Sequence, residues 1–313
     1  MLSSGVSITI NRPLFITGSS GFIAGHLLRS LPLDQYEGVY CLSRSQSDLT
    51  AELSRRENFH FVQGNLLEPA TYESQLAAAG TVIHLAAVTG KAKRHEYFVV
   101  NTDGTAKLVE KCKELGVKHF LHTSTIAVKY ADVKYYHYAQ SKQLAEEIVR
   151  DSGLAYTIIR PMIVLAQDAP IWQSLRKMTS KSVIMIPGNG LAKIQPIYVD
   201  DLIECILHIL REQLFDNQVL DLGGPDVLSF ESLLRQIHRG SGQKEPRVVH
   251  LPLGLMRGCL GFLEKYLCSC PPVTAGQLSA FGNDGLADDN GVTDHHRNRM
   301  KGVEETIRLL IDE

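Results

Sequence analysis

An α/β fold, a doubly wound parallel sheet, follows from three observations on this 313-residue chain. Apolar runs of strand length alternate with segments of helical period through the first half. The connections between them are short. A glycine-rich turn, Gly18-Ser19-Ser20-Gly21, joins the first apolar run to the first helical segment. The apolar runs cover residues 14–17, 38–43, 59–62, 81–86, 119–123 and 155–159, and the helical segments cover 22–31, 70–78, 95–115 and 138–152. After Arg160-Pro161 the rhythm changes. Helices are expected at 171–178, 199–212 and 229–239, the last capped by Ser229, with strands at 182–186, 218–222 and 247–251. Residues 1–165 are therefore read as the sheet-forming domain. Residues 166–313 form mainly a second, smaller one, some of whose segments return to the sheet. The polar stretch 282–298 reads as loop.

Composition narrows the function class. With 44% hydrophobic residues, 21% charged residues and a formal net charge of −2, the chain gives no reason to expect nucleic acid or an anionic membrane as its partner. Six cysteines (Cys41, Cys112, Cys205, Cys259, Cys268, Cys270) are scattered and do not resemble a disulfide framework. Cys268-Ser269-Cys270 with His295 and His296 raises a metal reading. The spacing fits no common structural zinc pattern, so no metal is expected. The first residues lack a basic, apolar leader, and no run reaches the ~20 apolar residues of a membrane span. The nearest candidate, 251–267, carries Arg257, Glu264 and Lys265 and reads as an amphipathic helix. A cytoplasmic protein acting on a small molecule is the default expectation.

The glycine turn is a phosphate-binding design. Gly18 permits a tight strand-to-helix turn, and Gly21 lets the backbone approach a pyrophosphate that the amides of a helix N-terminus then hold. Ala24 takes the third position, where helix packs closely on strand. At the end of the second run an acidic residue would bind the ribose hydroxyls. This chain has Ser43 and Arg44 instead, which donate to a 2′-phosphate. NADP is therefore the expected cofactor, with NAD the alternative.

Tyr138-Ala139-Gln140-Ser141-Lys142 places a phenol and an ammonium at i and i+4, on one helix face. A free phenol, with a pKa near ~10, is a poor acid or base at neutral pH. An adjacent cation lowers that pKa and makes proton exchange with a substrate oxygen feasible while hydride moves.

Taken with the motifs around them, these residues resemble the extended short-chain dehydrogenase/reductase family, which includes nucleotide-sugar epimerases and dehydratases. Thr17-Gly18-x-x-Gly21-Phe22-Ile23 resembles its cofactor motif, and Val82-Ile83-His84-Leu85-Ala86-Ala87 its fourth-strand motif. Asn101-Thr102-Asp103-Gly104-Thr105 resembles the helix motif whose asparagine contacts cofactor, and Phe120-Leu121-His122-Thr123-Ser124-Thr125 the strand carrying the catalytic hydroxyl. Arg160-Pro161-Met162 and Tyr198-Val199-Asp200-Asp201 match later motifs, and the likeness runs over about residues 10–260. The resemblance implies a Rossmann-type cofactor domain with a substrate-side domain behind it, and a homodimer as one assembly. It assigns catalysis to Thr125, rather than Ser124, with Tyr138 and Lys142. It assigns cofactor contacts to Gly18, Ser20, Gly21, Phe22, Ile23, Ser43, Arg44, Asn65, Leu66, Leu85, Ala86, Ala87, Asn101, Thr123, Tyr138, Lys142, Pro161 and Met162.

The chain also departs from the family. Gly64-Asn65 stands where Gly-Asp is usual, Val128-Lys129-Tyr130 replaces Val-Tyr-Gly, and the interval from Thr125 to Tyr138 is short. Ile163-Val164-Leu165-Ala166 replaces residues that help hold a nucleotide-sugar. Three functions follow: NADP-dependent oxidoreduction at a carbonyl or hydroxyl, internal-redox chemistry on a nucleotide-sugar, or NADP binding as a redox sensor or accessory protein. His84 and His122 are read as buried packing groups, and Lys91, Lys93 and Arg94 as a substrate grip or a solvated helix start. Asp200 and Asp201 are read as helix caps.

Overall fold

A computed structural model describes residues 12–266 and 276–312. The first half alternates strand and helix as the apolar pattern requires: β1 (Leu14–Thr17), α1 (Phe22–Ser30), β2 (Val39–Ser43), α2 (Asp48–Leu53), β3 (Phe59–Gln63), α3 (Glu73–Ala78) and β4 (Thr81–His84). There follow α4 (Arg94–Tyr97), α5 (Gly104–Leu115), β5 (His119–Thr123), α6 (His137–Arg150) and β6 (Ala155–Pro161). Beyond these come β7 (Val164–Leu165), α7 (Pro170–Thr179), β8 (Val183–Pro187), β9 (Lys193–Ile194), β10 (Ile197–Tyr198), α8 (Val199–Arg211) and β11 (Gln218–Leu222). The last described elements are β12 (Leu228–Ser229), α9 (Phe230–Gly240), β13 (Arg247–Leu251), α10 (Leu253–Tyr266), α11 (Gly291–His296) and α12 (Val303–Asp312).

The central sheet is parallel and ordered β11-β6-β5-β4-β1-β2-β3. Strand order reverses between β1 and β4, so a crevice opens at the carboxyl ends of these two strands, the position where such sheets bind ligands. Alternate residues divide between two apolar layers. Leu14, Ile16, Ile83, Leu121 and Ile159 join one cluster, and Phe15, Val82, Phe120 and Ile158 the other. That two-residue period, apolar on both faces, is why these strands read as continuous apolar runs. The remaining strands form three two-stranded pieces, β7/β10, β9/β12 and β8/β13, beside the sheet.

Three differences from the sequence expectations have local causes. The helix expected over 95–115 is two α-helices joined by a π-helical stretch, Phe98–Asp103, centred on the fully buried Asn101. The fourth strand stops at His84 rather than at residue 86, because the Ala86 amide donates to the Thr17 side chain (3.2 Å) instead of to a ladder carbonyl. The polar stretch 282–298 is not all loop. It holds α11, entered through Asn290, whose side chain accepts from the Thr293 amide at 3.1 Å. In addition, α2 and α12 lie outside the periodic segments read above.

Candidate active site

The glycine turn sits at the crevice between β1 and β4. Gly18 has φ +71°, and a Cβ there would lie 2.6 Å from the Ala86 amide nitrogen, so both conformation and space exclude a side chain. A Cβ on Gly21 would lie 3.0 Å from the Gly18 carbonyl oxygen. No side chain caps α1 and no acidic residue occupies its first turn, which leaves its positive end for an anion. Phe22 and Ile23 form that first turn. These residues fit a dinucleotide pyrophosphate. Ser20 Oγ lies 2.8 Å from Ser43 Oγ, so the turn and the end of β2 meet, and exposed Arg44 follows at once. The Arg44 side chain makes no ion pair among the described residues.

One strand further along, α6 brings Tyr138 and Lys142 to the same crevice. Tyr138 is half-buried and hydrogen-bonded to the Thr125 side chain, which also accepts from the Ala127 amide at 3.3 Å. Burial pushes the phenol up to about 12, with Tyr97 adding to the rise and the Thr125 bond opposing it. Lys142, 1% exposed, is depressed to about 7 by burial, while Glu146 one turn on draws it back up. The rings of Tyr97 and Tyr136 stand 6.3 and 5.9 Å from Tyr138, giving the site an aromatic wall. Ser124 Oγ and Thr123 Oγ1, at the end of β5, are buried and have no hydrogen-bond partner.

A buried polar scaffold supports this group. Asn101 Oδ1 accepts from the Val88 amide (2.7 Å), and its Nδ2 donates to the Val88 carbonyl and to Ser141 Oγ, both at 3.0 Å. Its side chain is thus spent on joining the segment after β4 to α6, and it acts by placing neighbours. His84 bridges Thr17 Oγ1 (2.7 Å) and Thr105 Oγ1 (2.9 Å), and burial, then Lys142, hold it down at about 3. It is a neutral strut between two hydroxyls. His122, its ring 5.3 Å away, is also fully buried and has no hydrogen-bond partner at either nitrogen.

The other residues named from sequence fall around this crevice in different ways. Leu85, Ala86 and Ala87 line it beside Gly18, half-buried. Pro161 and Met162 are buried at the end of β6. Leu66 is buried against Gly104, where a Cβ would come within 2.7 Å of it. Asn65 closes a turn instead of reaching outward: its Oδ1 accepts from the Leu67 amide and its Nδ2 donates to Glu68. Lys93 stands at the start of α4, its amide donating to Glu96 at 2.6 Å. Asp200 and Asp201 do not cap α8. Asp201 instead accepts from the Lys301 amide at 2.9 Å, tying α8 to the chain before α12.

Sequence reasoning missed the ionic floor beneath the site. Glu146, 2% exposed, holds Arg160 through two bonds (2.8 and 2.6 Å) and Arg150 through a third (2.8 Å). Arg160 also lies 3.6 Å from Asp221, which in turn binds Lys129 at 2.6 Å. The readable signal was Glu146 at i+4 from Lys142. Arg150, four residues further along α6, gives a second such signal, whereas Arg160 on β6, Asp221 on β11 and Lys129 after β5 come from other elements and gave none.

Residues 14–223 match the NAD dependent epimerase/dehydratase family. The chain is 24% identical over 279 residues to N-acetyl-alpha-D-glucosaminyl-diphospho-ditrans,octacis-undecaprenol 4-epimerase from Escherichia coli, covering 82% of this chain and 81% of that one. It is 25% identical over 238 residues to the ceramide reductase of Caulobacter vibrioides, covering 76% and 73%. In three dimensions it is similar to a UDP-glucuronic acid 4-epimerase variant from Bacillus cereus solved with UDP-4-deoxy-4-fluoro-glucuronic acid and NAD. That superposition has a TM-score of 0.71 at 19% identity, over 96% of this chain and 98% of the other. With two thirds of its length matched by one family, this chain belongs to the NAD dependent epimerase/dehydratase family of extended short-chain dehydrogenase/reductase enzymes.

Proposed function

We propose that the protein is an NADP-dependent oxidoreductase that exchanges a hydride with the carbonyl or hydroxyl carbon of a small-molecule substrate. The observation that carries this reading is the Tyr138 phenol hydrogen-bonded to Thr125, with Lys142 one turn away on α6. Burial keeps the phenol protonated at neutral pH, so it can give its proton to a substrate oxygen. Thr125 orients that oxygen. Lys142 in its ammonium form stabilises the phenolate left behind and donates to the ribose. The nicotinamide, when bound, supplies or accepts the hydride. Ser20, Ser43 and Arg44 gather donors where a 2′-phosphate would lie, which supports NADP.

The substrate side supports a ligand other than a nucleotide-sugar. Ile163-Val164-Leu165-Ala166 offers only apolar side chains beyond β6, and the wall near Tyr138 is aromatic. A second reading, internal-redox epimerisation or dehydration with retained NAD, has the names of the Escherichia coli and Bacillus cereus proteins in its favour. Binding without turnover fits less well, because a pure binder has no need of the tyrosine.

Purified protein should exchange its cofactor and oxidise NADPH against a panel of aldehydes, ketones and nucleotide-sugars. Tyr138→Phe should then lower turnover by about 10²–10⁴-fold with the cofactor still bound. Tightly retained, non-exchanging NAD would overturn the NADP reading in favour of epimerisation, and an unchanged rate in Tyr138→Phe would remove the catalytic assignment.

A further inference from the structure

Away from the crevice, the fold brings together three imidazoles that lie far apart in sequence. His208 is on the last turns of α8, and His295 and His296 end α11, which packs on α8. One ring nitrogen from each residue lies within 4.8 Å of the others. The ring centroids are 4.5 Å apart for His208–His295, 5.1 Å for His208–His296 and 4.9 Å for His295–His296. His296 is 7% exposed, and its Nε2 is buried without a hydrogen-bond partner among the described residues. A buried nitrogen left without a hydrogen-bond partner is destabilising. Packing alone gives no reason for three imidazoles to converge where one of them loses a bond.

We propose that His208, His295 and His296 form a binding site for a divalent transition-metal ion of zinc type, which clamps α11 onto α8. Imidazole is the ligand that zinc, copper and nickel favour. Three protein nitrogens leave one tetrahedral position for water. Ring nitrogens gathered within 4.8 Å can converge on one ion at the ~2.0–2.1 Å of a metal–nitrogen bond, and the exposed His295 side chain has room to adjust. The ligands must be neutral to offer lone pairs.

The clamp has a place in the architecture. The segment leading into α11 carries Asp288, which pairs with Lys129 at 2.9 Å. It also carries Asn290, which donates to the Asp221 carbonyl at 2.8 Å. An ion at the end of α11 would fix this strap at its far end, opposite its attachment to the ionic floor of the active site. Cys268 and Cys270, which the sequence offers as partners of His295 and His296, lie outside the described residues. The partner found here, His208, is 87 positions from His295 and invisible to any spacing rule.

The test uses the full chain, stripped of metal with chelator and then titrated with zinc and with cobalt. One ion per chain is expected, with a nitrogen-only cobalt absorption lacking thiolate charge transfer, and a raised unfolding temperature at saturating zinc. His208→Asn and His295→Asn should each weaken zinc binding at least tenfold and abolish the temperature rise, while Cys259→Ser leaves both intact. Because His295 is exposed, its replacement keeps the test valid even if His208→Asn lowers metal-free stability. Absence of saturable binding, a thiolate band, or zinc affinity unchanged in both histidine variants would each overturn the site.

Discussion

The cofactor side and the C-terminal side of this molecule are held together by different physics. On the cofactor side, seven parallel strands run in one hydrogen-bonded sheet, and the site is shaped by backbone: a positive-φ glycine, an uncapped helix start, a carbonyl against a missing Cβ. On the C-terminal side, three two-stranded pieces lie beside the sheet, and side chains tie several of the segments between them. Gln195 donates to the Gly224 carbonyl and accepts from the Ala287 amide. Asp201 and Asp226 accept from the amides of Lys301 and Val303. The arrangement allows substrate-side contacts to change without disturbing the sheet, while the dinucleotide turn tolerates almost nothing.

Gly18→Ala should have the largest effect on the cofactor side. The new methyl meets the Ala86 amide at 2.6 Å in a backbone conformation that costs an L-residue about 1–2 kcal/mol before any clash. Cofactor affinity should fall at least about 100-fold, by fluorescence titration, as strain and turn displacement add. A variant that binds cofactor normally would show that backbone geometry is not what sets this turn.

Next in size is Lys142→Met, which separates stability from function within the rigid half. Folded Lys142 loses its proton near about 7, against 10.5 when free, so the unfolded chain binds more protons between those values. The destabilisation is therefore complete below pH 7 and fades as pH rises toward 10.5. Without cofactor, Lys142→Met should be the more stable protein at pH 7, with its advantage shrinking by about 1.4 kcal/mol per pH unit between pH 7 and 9. Denaturant titrations at both pH values check this, and turnover should be lost. A constant difference between the two proteins would mean that Lys142 is solvated and ordinarily charged.

The same division explains what could be read in advance. The strands of the sheet were legible because both faces are apolar, and the glycine turn and Tyr138–Lys142 pair were legible because their chemistry needs fixed spacing. The family resemblance singles out Thr125, and the structure places its side chain in a hydrogen bond with Tyr138. Asn101 was noticed, yet its three bonds to Val88 and Ser141 depend on a π-helical turn that no hydrophobic period encodes. The Glu146–Arg160–Asp221–Lys129 chain and the His208 cluster were hidden for a related reason. Each joins residues from different elements, and sequence patterns report neighbours along one element. Short α11, with few buried apolar residues, looked like loop because its stability comes from Asn290 and from packing on α8.

Arg44→Ser tests the cofactor side, where the proposed preference for NADP rests on a side chain rather than on backbone. Losing one guanidinium opposite a 2′-phosphate should raise the KM for NADPH about tenfold, near the ~1.5–3 kcal/mol of a charged hydrogen bond after solvent screening. The KM for NADH should stay within about twofold, since NADH has no phosphate there to lose. Equal effects on both cofactors would place Arg44 outside the ribose pocket.

Asp226→Ala should give the smallest change and the cleanest contrast. Asp226 Oδ2 accepts from the Val303 amide at 2.7 Å, at the start of α12, in the manner of a helix cap. Its loss should cost about 1 kcal/mol, the usual value for a cap, because α12 remains packed on α9 with Val303, Ile307 and Leu310 buried. The unfolding temperature should drop by about 1–2 °C, from an unfolding entropy of about 2.1 cal/mol/K per residue. NADPH affinity should not move, because no strand of the sheet and no residue of the glycine turn depends on this bond. A measurable loss of cofactor affinity would show instead that the C-terminal side is mechanically coupled to the dinucleotide turn, and that side-chain ties there are as demanding as the backbone of the sheet.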